Sequence, residues 1–237
     1  MLVLLGGKLI DGTGAEPMEH SVLLVDKNEI VAIGRAESTP IPPDAQVLDV
    51  RGKTVMPGLI DAHVHILAAD YDPGHILTTP FSTILFEAVG HLRATLEAGV
   101  TTVRDAGGAD LGVKLAVEQG LVPGPRLVIS IGALAGVKIV MGTDSGVAGH
   151  GNNARELSLL ADAGLSPMQA IMAATKTAAE CLALEDRIGT LQAGKLADIL
   201  ILDGDPLVDI RLLLDKDRIE VLIKDGQVVK NQSSRRL

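Results

Sequence analysis

Residues 56–65 read MPGLIDAHVH, and this stretch predicts both the fold class and the site of the chain. A strand is expected to begin near Thr54, to break at Pro57-Gly58 and to resume as an apolar run that ends at His63 and His65. Because side chains alternate along a strand, the two imidazoles project from one face and can reach one metal ion. Taken alone, such a pair is weak evidence, since two histidines on a polar strand face are often only surface residues.

A second strand end supplies an acidic partner. Residues 138–146 read KIVMGTDSG, which predicts an apolar strand over 138–143 with Asp144 at its carboxyl end. Parallel α/β proteins carry their chemistry at the carboxyl ends of strands, so Asp144 is expected beside His63 and His65. A carboxylate there can ligate a divalent cation or accept a proton from water. Alone, Asp144 would be interpreted as a helix N-cap, but with the histidines it completes three ligands.

Six motifs run from one end of the chain to the other. They are PGLIDAHVH at 57–65, TTVRDAGG at 101–108, PGPRL at 123–127, GTDSG at 142–146, HGNNARELSLLADAGLSPMQAIMAAT at 150–175 and IGTLQAGKLADILILDGDPL at 188–207. Together they resemble the amidohydrolase superfamily, and within it the imidazolonepropionase-like and prolidase-like (Xaa-Pro dipeptidase-like) branch. The resemblance implies a TIM-type (β/α)₈ barrel with one or two divalent metals, usually zinc, beside a small β-sandwich built from both chain ends. It also implies hydrolysis of an amide, peptide-like or cyclic amide C–N bond by a metal-activated water.

The chain departs from this family in its middle. The resemblance implies further ligands on central strands, a carboxylated lysine or a glutamate and two more histidines, and no residues here correspond to them. Short strands are expected at 126–130 and 138–143, but a parallel crossover needs at least about 10 residues, more than 131–137 provides. These strands therefore cannot be consecutive neighbours in a parallel sheet. We place a deletion junction near 130–135.

Length leads to the same interpretation. The predicted barrel domain covers 55–185, and at about 30 residues per βα unit this supports about four units instead of eight. The fold class is thus α/β, a partial (β/α) barrel plus a discontinuous β-sandwich domain formed by 1–54 and 186–237. By resemblance the strands are the first, second, third and eighth of the barrel, one arc with two open edges. Helices are expected near 80–98, 109–120, 152–163 and 167–183.

Two hypotheses follow for assembly. Open parallel edges favour pairing with another chain, so two copies could form a homo-oligomer in which 126–130 of one copy pairs with 138–143 of the other. The alternative is a marginal fragment, or a part of a longer molecule.

Composition limits the partners. With a formal charge of −9 the chain has no basic footprint, so a nucleic-acid partner is not expected. No apolar run approaches the roughly 18 residues of a membrane span, and the expected compartment is the cytoplasm. The single cysteine, Cys181, is expected to be a small buried residue. The expected partner is a small-molecule or dipeptide-like substrate.

Several other polar residues are candidates near the site. His150 is the predicted substrate-binding residue, and Asn152 is expected to cap the helix that follows it. His91 is expected to be an ordinary surface residue. Arg104 and Asp105 form either a salt-bridged structural pair or part of the site wall.

The predicted function is that of a metal-dependent enzyme. A divalent metal, with zinc expected, is held by His63, His65 and Asp144, and Asp144 also acts catalytically by taking a proton from water and passing it to the leaving nitrogen. The alternative is a catalytically inert, internally deleted remnant with a structural, metal-binding or partner-binding role.

Overall fold

A computed structural model describes residues 1–68, 73–129, 140–146 and 149–232. The predicted deletion junction and the first two residues of the strand predicted at 138–143 lie outside these ranges. The strands are β1 (Leu2–Leu9), β2 (Met18–Asp26), β3 (Glu29–Arg35), β4 (Gln46–Asp49), β5 (Thr54–Pro57), β6 (Leu59–Val64), β7 (Val100–Asp105), β8 (Arg126–Ile129), β9 (Ile199–Leu202), β10 (Ile219–Lys224) and β11 (Gln227–Asn231). The helices are α1 (Pro73–Thr78), α2 (Phe81–Glu97), α3 (Leu111–Glu118), α4 (Arg155–Asp162), α5 (Pro167–Ala173) and α6 (Lys176–Cys181).

Strands from the two ends of the chain form one eight-stranded sheet. Its order is β11-β10-β9-β5-β1-β2-β3, and β4 also pairs with β1. The two ends meet where β5 runs antiparallel to β9, with Thr54 opposite Leu202 and Pro57 opposite Ile199. All four residues of each of these strands are buried, so the join lies inside the protein. The proposed division into domains remains a prediction.

The second sheet is parallel and has the order β6-β7-β8. On the free side of β6 lies the segment 140–146, bonded to it by Ala62 N–H to Met141 O (2.9 Å) and Asp144 N–H to His63 O (2.8 Å). The segment and β8 therefore lie on opposite sides of β6 and β7, as the short spacing between them predicts. The mixed α/β class also agrees with the sequence analysis.

The strand predicted at 138–143 is not a regular strand in its described part. Ala62 N–H and His63 O both face the segment 140–146, which indicates a bulge in β6 at this point. The amide of Thr143 donates to the Asp61 side chain (3.1 Å), and Ala62 O accepts from Arg104 Nε (2.8 Å). Side-chain hydrogen bonds thus replace some of the main-chain hydrogen bonds between neighbouring strands. The spacing of apolar residues in the sequence does not indicate this replacement.

Helices cover one face of the parallel sheet. Leu92 of α2 and Val113 of α3 share an apolar core with Val103 and Leu127 of the sheet. Each such side chain contributes about 1.5–3 kcal/mol when fully buried. Since side chains alternate along a strand, Arg104 projects from the opposite face of β7.

Two details of the helical region differ from expectation. The helix predicted at 167–183 is divided into α5 and α6, because Thr175 leaves the helical conformation and its hydroxyl donates to Ile171 O (2.7 Å). Cys181, expected to be buried, is exposed at the end of α6. Among the described residues, none of the helices has the length and apolarity needed to cross a membrane.

A buried ion network joins the two sheets. Arg126 at the start of β8 donates to Asp198 (2.8 Å) and to the hydroxyl of Thr102 (2.9 Å), and it also pairs with Asp225. The side chains of Arg126 and Asp198 are only 16% and 6% exposed. This network fixes the amino-terminal end of the parallel sheet, opposite to the end that carries the histidines.

Candidate metal centre

His63, His65 and Asp144 meet at the carboxyl end of the parallel sheet. Asp144 Oδ1 lies 3.4 Å from His63 Nε2 and 3.1 Å from His65 Nε2. A tetrahedral zinc ion with bonds of about 2.0–2.2 Å separates its ligand atoms by about 3.4 Å, so this donor set fits one such ion. Over the described ranges of the chain, no other group of three or more His, Cys, Asp or Glu side chains converges in this way. The three predicted ligands are therefore brought together, while their roles remain a prediction.

The backbone around Asp144 is shaped to bring it over the histidines. Asp144 has φ 53°, a left-handed conformation that non-glycine residues seldom adopt and that Asp tolerates better than most. Gly146 has φ 126°, and a Cβ atom there would lie 2.9 Å from His65 Cβ. At Gly142 a Cβ would lie 3.3 Å from His63 Cβ. The GTDSG motif thus contains glycines where the chain passes close to the histidine strand.

A main-chain contact orients the His65 ring. His65 Nδ1 lies 2.8 Å from Gly107 O, just beyond β7, and since a carbonyl can only accept, Nδ1–H is the donor. This tautomer leaves the lone pair of Nε2 directed at Asp144, the arrangement that metal-binding histidines commonly show. The site is accessible: the side chains of His63, His65 and Asp144 are 47%, 31% and 54% exposed.

Beneath the histidines lies a buried polar cluster centred on Asp61. Its carboxylate accepts from the main-chain amide of His63 (3.1 Å), the Thr143 hydroxyl (2.6 Å) and Asn153 Nδ2 (2.7 Å). Asn153 also donates to Ser145 Oγ (3.0 Å). Burial raises the pKa of Asp61, against the hydrogen bonds, which lower it. This cluster ties β6 to the segment bearing Asp144.

Sequence reasoning only partly anticipated this cluster. Asp61 lies too close in sequence to the histidines for a supporting role to be assigned from the sequence, and two of its partners, Thr143 and Asn153, are distant in the chain. Asn152, the expected helix cap, is exposed and makes no capping bond, because α4 begins at Arg155 and its N-cap residue is Ala154, which has no side-chain capping bond. The adjacent Asn153 is fully buried and is the one that supports Asp61.

The structure places His150 behind the loop that follows His65. Its Nε2–H donates to Ala68 O (3.1 Å), and its ring stacks on His91 with centroids 4.3 Å apart. His91, expected at the surface, is half-buried and donates from Nδ1 to Ile66 O (2.9 Å). Burial, together with the nearby His91, lowers the pKa of His150 to about 4. The predicted substrate contact of His150 remains a prediction.

Arg104 and Asp105 do not form the salt-bridged pair that was one expectation. Asp105 is buried and accepts from the amides of Ile66 (2.8 Å) and Gly107 (2.9 Å), so it holds the turn beside His65. Arg104 instead reaches the carbonyl of Ala62. The other expectation, a place in the wall of the site, stays a prediction.

The fold and this donor set define an α/β protein with a metal-ligand cluster at the carboxyl end of a parallel sheet. The profile of the Amidohydrolase family matches residues 54–135 and 131–229. The chain belongs to the amidohydrolase family, as its motifs predicted. The two matched stretches meet at 131–135, where the sequence analysis placed the deletion junction.

Curated relatives match parts of the chain. An enamidase from Eubacterium barkeri is 32% identical over 102 residues, which are 43% of this chain and 24% of the relative. An imidazolonepropionase from Rubrobacter xylanophilus is 44% identical over 63 residues, 27% of this chain and 15% of the relative. The matched stretches thus span about a quarter or less of these relatives' lengths.

Solved structures share the fold. A crystal structure of an amidohydrolase aligns with a TM-score of 0.84 at 22% identity, covering 97% of this chain and 99% of that one. A Xaa-Pro dipeptidase with bound methionine in its active site gives a TM-score of 0.84 at 19% identity, with 97% and 100% covered. At these identities the likeness establishes the fold alone.

Proposed function

We propose that this chain is a metal-dependent amidohydrolase that hydrolyses a C–N bond in an amide, peptide-like or cyclic amide substrate. The observation that carries the proposal is the convergence of His63, His65 and Asp144 at the strand ends of a protein of this family. Relatives named as enamidase and imidazolonepropionase, and the fold shared with a Xaa-Pro dipeptidase, support the reaction class.

The donor set is suited to a single divalent cation, and we infer zinc. Two imidazole nitrogens and one carboxylate give the three protein ligands of a catalytic zinc site. Such an ion supplies Lewis acidity, which polarises the amide carbonyl and acidifies water. The described residues offer no second cluster of this kind, so one ion per chain is expected.

The chain's own residues then have distinct tasks. His65, fixed by Gly107 O, and His63, whose amide is held by Asp61, present their Nε2 atoms to one point. One oxygen of Asp144 faces these nitrogens, and the other accepts the proton of the attacking water. The water oxygen joins the carbonyl carbon, the C–N bond breaks, and Asp144 returns the proton to the leaving nitrogen.

Metal content tests the proposal most directly. Elemental analysis of the purified protein is expected to give about one zinc per chain, lost in the His63→Ala/His65→Ala double variant. His20→Ala, at an exposed position of β2, is the matched control and retains the metal. Hydrolysis of dipeptides and N-acyl amino acids is then assayed. Metal binding without hydrolysis would indicate the inert remnant, and no binding after reconstitution would remove the proposal.

We also propose that the parallel strands and the segment 140–146 are one half of a (β/α) barrel, beside a β-sandwich formed by both chain ends. The order segment 140–146, β6, β7, β8 supports this, because it is the contiguous arc that the resemblance implies. Closure by a second copy predicts a dimer of about twice the 24.7 kDa chain mass in light scattering. A folded monomer would contradict closure by a second copy.

A further inference from the structure

A cavity of about 190 Å³ lies where the end of α2, the loop before α4 and the turns at 210–218 meet. Two cations, Arg155 and Lys216, line it, and over the described part of the chain no acidic side chain does. None of the three candidate metal ligands belongs to its wall, so the cavity is separate from the metal centre. Positive charge is thus concentrated at one point of a protein whose formal charge is −9.

Neither cation has a counter-ion among the described residues. The hydrogen bonds of Arg155 and Lys216 to that part of the chain all run through main-chain atoms. Lys216 is half-buried, whereas Lys8, which is also half-buried, is paired with Asp205. Because buried charge is normally compensated, an anion in the cavity would supply the partner that these two side chains lack.

The ammonium group of Lys216 lies against the main chain of Gly151, another residue of the cavity wall. A Cβ atom at Gly151 would lie 2.7 Å from Lys216 Nζ and 3.0 Å from Ala94 O, in the last turn of α2. Glycine at this position therefore leaves room for the ammonium group. Glu97, which lines a neighbouring cavity together with Lys216, is already paired with Arg93 (2.8 Å).

Arg155 is the first residue of α4, and its side chain is exposed. The amino-terminal end of a helix carries partial positive charge, so a cation is unfavourable there and an anion is favourable. Asn152 also lines the cavity, and its side-chain amide makes no hydrogen bond to the described residues. A guanidinium, an ammonium and an amide are therefore all available as donors in one cavity.

We propose that this cavity binds a phosphate group, either as inorganic phosphate or as the monoester of a small molecule. A tetrahedral phosphate directs acceptor oxygens to several sides, so it can meet all three donors together, which a planar carboxylate does less well. Leu213 and Leu214 complete the wall and suit a small apolar substituent of a monoester. This binding does not depend on the proposed function.

Calorimetry at fixed ionic strength tests the proposal, with inorganic phosphate as the ligand. The unmodified protein is expected to bind one phosphate with a dissociation constant of about 1 mM or lower. Arg155→Gln and Lys216→Gln each weaken binding about 10-fold or more, the range of a charge-assisted hydrogen bond. Lys216→Arg keeps the charge and retains most of the affinity. Arg211→Gln, which removes an exposed charge paired with Asp162, is the matched control and leaves binding unchanged.

Binding in the His63→Ala/His65→Ala variant separates this cavity from the metal centre. Phosphate affinity is expected to persist there, and its loss would assign the phosphate to the metal centre and overturn the proposal. The same conclusion would follow if binding did not saturate by about 10 mM phosphate, or if acetate bound as tightly. Comparison with n-butyl phosphate distinguishes the two sources, because a monoester that uses the two leucines binds more tightly than inorganic phosphate.

Thermal denaturation excludes a purely structural role of the two cations. If Lys216 only neutralises the carboxyl end of α2, Lys216→Gln lowers the midpoint equally with and without phosphate, which would contradict the proposal. The expected result is that phosphate raises the midpoint of the unmodified protein, because a ligand that binds the folded state stabilises it. In the Arg155→Gln/Lys216→Gln double variant, phosphate should leave the midpoint unchanged.

Discussion

The two ends of the parallel sheet treat charge in opposite ways. At the amino-terminal end, the largely buried guanidinium of Arg126 donates hydrogen bonds to Asp198, Asp225 and Thr102. Its positive charge is therefore paired with two carboxylates. At the carboxyl end, His63 and Asp144 are about half exposed, and Arg104 lacks a carboxylate partner among the described residues. The paired end joins two sheets, whereas the open end leaves polar groups available for a ligand. The groups expected to contribute to stability and those expected to bind a ligand thus lie at opposite ends of the same short strands.

The largest expected effect comes from breaking the paired end. Arg126→Ala leaves Asp198 buried without its counter-ion, which is expected to lower the free energy of unfolding by about 3–5 kcal/mol. Urea unfolding measures the loss, and the metal content of the folded fraction should not change. Arg211→Ala removes an exposed ion pair with Asp162 and should cost at most about 1 kcal/mol. Equal losses in the two variants would contradict the distinction.

A substitution in the Asp61 cluster tests whether the carboxyl end of the parallel sheet contributes to stability as well as to metal binding. Asp61→Asn sets an amide donor against Asn153 Nδ2 and should lower the free energy of unfolding by about 2–4 kcal/mol. Because Asp61 also holds the His63 amide, zinc affinity should fall about 10- to 100-fold. Competition with a chromophoric chelator measures that affinity. The exchange Asp61→Asn with Asn153→Asp restores a donor–acceptor pair, so failure to recover any stability would count against the pairing.

His150 makes part of the stability pH-dependent. Its pKa is about 4 in the folded protein and 6.5 ordinarily, so the unfolded chain binds the extra proton first as the pH falls. The neutral His150 ring contributes fully to the free energy of unfolding above about pH 6.5, and this contribution is lost as the pH falls from there to about 4. For a partly exposed ring the loss amounts to about 1–2 kcal/mol. Urea midpoints should fall less steeply with pH in His150→Gln. Parallel profiles for the two proteins would rule out this assignment.

The smallest effect is expected at Asn152. It is exposed and caps no helix, so Asn152→Ala should change the free energy of unfolding by less than about 0.5 kcal/mol. Asn153→Ala, one residue away, removes the donor to Asp61 and should cost about 1–3 kcal/mol. Thermal denaturation of the two variants compares them. A larger loss of unfolding free energy in Asn152→Ala than in Asn153→Ala would contradict the assignment of Asn153 as the residue that supports Asp61.

Local patterns predicted most of the strands and helices. The break at Pro57-Gly58 separates β5 from β6 as expected, and the helices expected near 80–98 and 109–120 correspond to α2 and α3, because each carries its signals within a few residues. The convergence of His63, His65 and Asp144 was also foreseeable, since strand ends of a parallel sheet share one edge.

What could not be predicted depends on contacts between distant residues. Asn153 is buried and Asn152 is exposed because of the path of the loop before α4, in which Gly149 and Gly151 have positive φ. The stacking of His91 on His150 joins a helix to that loop, and no periodicity in either segment indicates it. That Arg104 has no carboxylate partner among the described residues becomes apparent only when its neighbours in space are known.

The antiparallel join of β5 to β9 also constrains how the molecule is made. Thr54 must find Leu202 across roughly 150 residues of intervening chain, which is a long loop to close and favours slow, late formation of this pairing. The hairpins β1–β2 and β2–β3 join strands that are adjacent in sequence, so they can form as soon as these strands have been synthesised. During synthesis the apolar edge of β5 remains uncovered until the ribosome has delivered β9. Nascent chains arrested before that point should therefore be the species most dependent on chaperones.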